Sequence, residues 1–497
     1  MKTASAFLNG GIIKSFLINK MTKKISAIDI LPYAWLFFLL GVCISPRFKD
    51  LNNIFYLTIL PLTLFTAKEY FSHFIRAPIY LWLLTLAGWM ALSSTWATEP
   101  NYSDLKSILY VIIFISGIAL AKETQVIEKW GWLVPIAIGL QLSFSNIWEG
   151  GRLSGFGPME NPLYAGHFYV FYSWFFLHYK KFHPKSTIST AVRWIGFLLS
   201  IGACYLTQSR SAIVCLPLLV FIFLLQNNPI KYQKKIVFAL LLVAVTVSTT
   251  LFFSNKWITL PSNSFHYQVN LDTGERLLVR FQKDNQSVIT PEIKDTQGLT
   301  TLLKQGSNPK KFMFTSNKSD VYHLEIKTNK RTTRPWEIVS LYTQKPNEPL
   351  QPIDKFIPPR AFQFDLTFGY RTEIWRERLK HCLEKPIFGY GFSQRLAVPF
   401  HHGHLSDSHN FFLGTAFQGG IIALIMYLGL LVTCLYTLCN KKYWSLAALL
   451  ICGIITTSFD DERFFTTTRP FWLLLLFPIG KALRASLPSL QQTQEKK

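Results

Sequence analysis

Three neighbouring stretches, FGYRTEIWRERL (368–379), PIFGYGF (386–392) and DSHNFFL (407–413), lead without interruption into an apolar run that continues past residue 430. Arg371 and Trp375 lie one helical turn apart. Trp375, Leu379, Cys382 and Leu383 recur at i, i+4, i+7 and i+8, opposite Arg376, Glu377 and Lys380. That spacing predicts an amphipathic helix lying along a membrane surface, with those four residues on its apolar face. Pro386, Gly389 and Gly391 stop it. After a His-rich loop, Asp407 and Ser408 are placed to cap the next helix, with His409 and Asn410 in its first turn. The histidine is then held at a water boundary by a rigid element.

Outward from this stretch, apolar runs of about 17 to 25 residues recur. They fall near 26–44, 51–67, 78–95, 105–121, 130–148, 163–179, 192–207, 211–226, 236–253, 410–438, 443–458 and 470–484. The pattern predicts an all-α polytopic membrane protein of about 12 transmembrane helices with one polar insertion. Composition excludes a soluble enzyme, since 49% of the 497 residues are apolar and 42 are Phe. Six of the seven cysteines, Cys43, Cys204, Cys215, Cys434, Cys439 and Cys452, lie in apolar runs, so no disulfide framework or CxxC metal site is available. The net charge of +23 sits at the ends of those runs with no interleaved aromatic motif, which argues for topology and against nucleic acid.

The positive-inside rule sets the orientation. Lys20, Lys23, Lys24, Lys68, Arg76, Lys180, Lys181, Lys234, Lys235, Lys441 and Lys442 fall on one side with both ends of the chain. The alternate short connections hold only Arg47, Lys49, Lys106, Arg152, Arg210, Arg463 and Arg469. Residues 1–25 are basic but lack a small-residue cleavage site after a sustained apolar core, so they read as a cytoplasmic segment. The expected organisation is a membrane domain over 26–253, a β-rich insertion over 254–364, an amphipathic helix and loop over 365–409, a second membrane part over 410–484 and a cytoplasmic tail over 485–497. Every motif considered below then faces outward.

Within the insertion, period-2 alternation marks strands at Phe265, Tyr267, Val269 and Leu271; at Leu277, Val279 and Phe281; at Phe312 and Phe314; at Tyr322, Leu324 and Ile326; and at Trp336 and Ile338. Asp272-Thr273-Gly274 and Asn308-Pro309 are turn signals. A sandwich-like unit of roughly six strands is expected.

Four outward-facing features carry candidate chemistry. EGGRLSGFGPMENPLYAG (149–166) surrounds Arg152 with glycines and precedes Asn161, suiting close backbone approach to a phosphate, or else an ordinary Gly-rich turn. TQSRSA (207–212) sets Arg210 between two apolar runs, where a guanidinium either snorkels or faces a polar cavity. His409 suits a general base toward a hydroxyl, against the plainer reading of a capping loop. His401, His402 and His404 lack regular zinc spacing. Asp460, Asp461 and Glu462 read as a cation site or as a solvated loop balanced by Arg463. Three arginines, Arg152, Arg210 and Arg371, and one histidine on one face suit a pyrophosphate-bearing lipid and a hydroxyl acceptor.

The ordered series GRLSGFG, ENPLYAG, TQSRSA, GYRTEIW, GYGF and DSHNFFL resembles the bacterial O-antigen ligase superfamily, over roughly residues 26–253 and 365–484. The resemblance implies a metal-independent, inverting glycosyl transfer in the periplasm, without a cofactor. Its implied donor is an undecaprenyl-pyrophosphate-linked glycan and its acceptor a hydroxyl of lipid A core, a growing polymer or a protein. It implies that Arg210 and Arg371 hold the pyrophosphate, that His409 activates or positions the acceptor, and that Arg152 and Asn161 line the donor site. Tyr370, Trp375 and Asn410 join them as substrate-binding candidates. The β-rich insertion departs from the family's largely helical outer loop, so ligase, polymerase and protein transferase stay open. Twelve spans with both ends inside also describe a transporter or flippase, but such a protein needs polar sites near the midplane rather than at one boundary. A membrane anchor displaying a glycan-binding β unit leaves the arginines and His409 unexplained.

Overall fold

The computed structural model describes residues 26–487 except 99–100, 122–125, 127–129, 131, 146, 149–151, 156, 160, 179–186, 208, 228–261, 282–287, 295–299, 303, 306–310, 333–338, 346–348, 350, 353–370, 395–397, 401–402, 406–408, 461–462 and 470. Apolar runs become helices almost one for one. They are α1 (Ala27–Ile44), α2 (residues 48–74, with a π-helical stretch at Phe55–Ile59), α3 (Pro78–Ser93), α4 (Leu105–Leu120), α5 (Leu133–Ser143), α6 (Pro162–His178), α7 (Thr187–Thr207) and α8 (Arg210–Asn227). After the insertion come α9 (Arg371–Glu384), α10 (Phe411–Asn440), α11 (Trp444–Asp460), α12 (Phe471–Leu474) and α13 (Leu476–Ala485). Among the described residues, four helical segments have the length and apolarity to cross a membrane alone: Ala27–Ile44, Pro78–Trp96, Thr190–Thr207 and Phe411–Asn440. The run expected over 130–148 condenses to the 11 residues of α5, about 16 Å at 1.5 Å per residue, and does not cross by itself. The run over 236–253 and the turn signal at Asn308-Pro309 lie outside the described residues.

Large apolar side chains cover the outside of this bundle, Leu57 at 78% exposure, Phe65 at 73% and Val432 at 63% among them. So much exposed hydrocarbon marks a multi-pass membrane protein rather than a water-facing one. Inside, aromatic rings interlock. Trp35 and Trp472 each lie 4.7 Å from Phe114, and Phe55 lies 5.7 Å from Trp472, all edge-on. Helix α6 is buried on every face from Ala165 to His178, which makes it the central post of the bundle.

The insertion forms two antiparallel sheets. One has the order β11-β10-β4-β8-β7, from β4 (Arg276–Phe281), β7 (Lys304–Gln305), β8 (Lys311–Thr315), β10 (Val339–Gln344) and β11 (Gln351–Pro352). The other has the order β3-β9-β5-β6, from β3 (Ser262–Leu271), β5 (Val288–Lys294), β6 (Thr300–Leu302) and β9 (Asp320–Thr332). Val269, Leu271, Leu277, Val279, Tyr322 and Leu324 are buried, as their alternation predicts, and Phe314 of one sheet meets Tyr322 of the other at 5.0 Å. Asp272 begins the β3–β4 turn, closed by Glu275 N–H on Asp272 O at 2.9 Å. Trp336 and Ile338 lie outside the described residues, and the strand nearest them begins at Val339.

Helix α10 is broken at Gly420 (φ 69°, ψ −168°), a conformation open only to glycine. The segment after α9 fills the break. Tyr390 and Gly391 N–H donate to Phe417 O (2.8 Å) and Gln418 O (2.9 Å), and Ile421 N–H donates to Pro386 O (2.8 Å). Trp89 Nε1–H of α3 donates to Gly419 O at 2.8 Å. Carbonyls released by the break are thereby satisfied.

Candidate active site

Helices α6, α8 and α10 begin at one end of the bundle. Asn161 caps α6, its Oδ1 accepting from Leu163 N–H at 2.9 Å, with Pro162 at the first helical position. One turn on, Gly166 lets α8 approach so closely that a Cβ placed there would lie 2.7 Å from Ser209 Cβ and 3.0 Å from Ala212 Cβ. Ser209 is fully buried and the half-buried Arg210 opens α8. Phe411, the first residue of α10, packs edge-on at 5.2 Å against Phe471, the first residue of α12. Two residues before that, the Arg469 guanidinium lies 4.6 Å over the Phe48 ring and 5.5 Å over the Tyr164 ring near the start of α6. The 463–471 segment therefore joins the starts of α6 and α10.

Helix α9 reaches the same end. Trp375 lies 5.8 Å from Phe459, at the finish of α11. Helices α11 and α8 run side by side, with Cys215 and Cys452 each donating Sγ–H to the other's carbonyl at 3.6 and 3.7 Å. The N-termini of α6, α8 and α10 gather here, each the positive end of a helix dipole, with Arg210 opening α8; Arg371 opens α9, whose first turn reaches this end through Trp375. Such an end is suited to an anion of high charge. Of Arg371 and Arg152 only the backbone is described. Arg152 lies in a two-residue strand, β2 (Arg152–Leu153), paired with β1 (Ile147–Trp148). Tyr370 lies outside the described residues, as do Asp461 and Glu462.

The start of α10 needs correction. Its cap is Asn410, whose Oδ1 accepts from Leu413 N–H at 3.0 Å, rather than Asp407 or Ser408. His409 stands one residue outside the helix in a left-handed conformation (φ 50°), half-buried. Helix α9 packs the face of Ile374 and Arg378 against the protein. Ile374, Arg378 and Cys382 are buried at 4%, 0% and 8%, while Leu379 and Leu383 are 47% and 68% exposed. Arg378 takes the inner position because its planar guanidinium stacks 4.2 Å from the Phe417 ring of α10. Arg463 pairs with Asp104, NH1 to Oδ2 at 3.1 Å, where Ser393 Oγ also donates at 2.9 Å. Among the described residues no group of three His, Cys, Asp or Glu side chains converges into a ligand set.

Arg378 and Arg469 escape sequence reading, because their ring partners sit on other segments. The family model described as O-antigen ligase matches residues 195–428, the part holding Arg210, Arg371 and His409. A Pseudomonas aeruginosa protein named O-antigen ligase is 22% identical over 476 residues, covering 92% of this chain and 91% of its own length. Both similarities support a likeness of this chain to the O-antigen ligase superfamily.

Proposed function

We propose that this chain is a membrane glycosyltransferase-type ligase that moves an undecaprenyl-pyrophosphate-linked glycan onto an acceptor hydroxyl, O-antigen onto lipid A core, at the periplasmic face of the inner membrane. Both termini then lie in the cytoplasm. The observation that carries the reading is the gathering of three helix starts, with Asn161, Arg210 and His409-Asn410, at one end of a chain similar to O-antigen ligases.

Arg210 and Arg371 grip the pyrophosphate bidentately, and the helix starts add partial positive charge where negative charge grows on the leaving group. Arg152 and Asn161 line the donor side. Tyr370, Trp375 and Asn410 contact the sugar and acceptor. The acceptor oxygen attacks the anomeric carbon opposite the pyrophosphate, and the bond to the pyrophosphate oxygen breaks as the new glycosidic bond forms, inverting that carbon. His409 takes the acceptor's proton, and undecaprenyl pyrophosphate departs with the bond's electron pair. Arginines stand where other enzymes use a divalent cation, so no metal enters these steps.

A glycan profile of a deletion strain tests the assignment. Lipid-linked polymer accumulating beside unmodified lipid A core is the expected result. Core still capped, but with short chains, identifies a polymerase, and a protein that loses its glycan identifies a protein transferase.

A further inference from the structure

The loop between α9 and its following turn, residues 385–391, has its backbone committed to the interior of a neighbouring helix while its tip is apolar and uncovered. Ile387 and Phe388 are 52% and 54% exposed, beside Leu383 at 68%. On one flank this patch meets α3, where Phe388 stacks on Trp89 at 5.9 Å and Leu92 is 54% exposed. On the other it meets α10, where Ile421 is 45% exposed. Both helices belong to segments long and apolar enough to span a membrane, so the patch is continuous with their lipid-facing surfaces.

Depth follows from the contacts. Trp89, which bonds Gly419 O, lies seven residues before the end of the apolar segment Pro78–Trp96, roughly 10 Å inside it at 1.5 Å per residue. Irregular backbone is tolerated at that depth only where its polar groups are satisfied by protein. Five backbone groups of the loop are satisfied in this way: Gly389 N–H donates to Lys385 O at 3.0 Å, Tyr390 and Gly391 N–H donate into the α10 break, and Pro386 O accepts from Ile421 N–H. A Cβ on Gly389 would lie 2.6 Å from Gly420 N, and one on Gly420 would lie 2.0 Å from Ile387 O, so both glycines are needed for the fit. The flanking charges are also used within the loop. Lys385 Nζ lies 4.5 Å over the Tyr390 ring, and the Tyr390 hydroxyl donates to the Glu384 carboxylate.

We infer that residues 385–391 form a re-entrant loop that dips into the outer leaflet, plugs the broken α10 and rests its Leu383–Ile387–Phe388 tip on lipid acyl chains. The loop thereby ties α9 both to α10 and to the bilayer.

The test uses full-length protein in vesicles of bilayer lipid, with Ile387→Cys, Phe388→Cys and, as a water-exposed reference, Asn317→Cys on the strand unit. The unsubstituted chain supplies the blank for its own seven cysteines. Because a charged reagent is excluded from hydrocarbon, a membrane-impermeant maleimide is expected to label residue 387 at least about tenfold more slowly than residue 317. A dye attached at 387 is expected to be quenched by acyl-brominated lipid. Ile387→Cys leaves the Phe388–Trp89 stack intact and keeps the test valid if Phe388→Cys does not fold. Labelling at 387 as fast as at 317, or a dye indifferent to brominated lipid, overturns the inference.

Discussion

Arg210 is the residue at which charge and shape separate most cleanly. Arg210→Lys keeps the cation but loses the planar two-donor fork, so transfer is expected to fall by roughly 10²-fold or more, as for loss of one preorganised donor; Arg371→Lys behaves alike. Steady-state turnover with lipid-linked donor checks this, and near-normal turnover removes Arg210 from the leaving-group site. The position was legible in the sequence because a lone arginine between two apolar runs with almost no loop must stand at a helix boundary. Other cations were not legible. Arg463 reads as a neighbour of acidic residues, yet its partner Asp104 lies 359 positions away. Removing that carboxylate in Asp104→Ala takes the acceptor from Arg463 NH1 and one of two from Ser393 Oγ, which keeps Asn101 O, and should cost roughly 1 to 3 kcal/mol. A lowered melting temperature in detergent reads it.

At the scale of elements, the apolar runs located the helices because about 20 apolar residues have few other destinations. The alternating runs likewise located β3, β4, β8 and β9. β5 escaped because Pro291 interrupts VITPEIK (288–294), where the register with β9 shifts between Ile289 and Glu292. The run over 410–438 reads as one unbroken span, and neither its break at Gly420 nor the loop that fills it is legible there. The cap of α10 supplies the element-scale prediction, because it fixes the turn carrying His409. Asn410→Ala should lose about 1 kcal/mol of helix stability along with much of the activity, whereas Asn410→Ser keeps a capping oxygen and should restore both. Equal activity losses in the two variants show that the contact of the Asn410 amide to substrate, and not its cap, sets the rate.

For the whole molecule, the charge asymmetry of the connections predicts residues 255–409 outside and Lys441-Lys442 inside. A reporter fused at Asn308 should be active only in its periplasmic form; activity only in the cytoplasm inverts the topology and with it the site. The two sheets of the insertion bury their own apolar residues, which suits a unit that positions the acceptor while the helix starts perform the chemistry. Its excision should leave donor binding and remove acceptor use. Under the proposed function, arginines and a histidine at converging helix starts transfer a lipid-linked glycan. Its most direct measurement combines purified protein, undecaprenyl-pyrophosphate-linked glycan and lipid A core, with product followed by mass. Glycosylated core and free undecaprenyl pyrophosphate are expected in equal amounts, unaffected by chelator, with His409→Ala slowed by roughly 10²- to 10⁴-fold while still binding donor. Full turnover by His409→Ala, or turnover that chelator abolishes and a divalent cation restores, contradicts it.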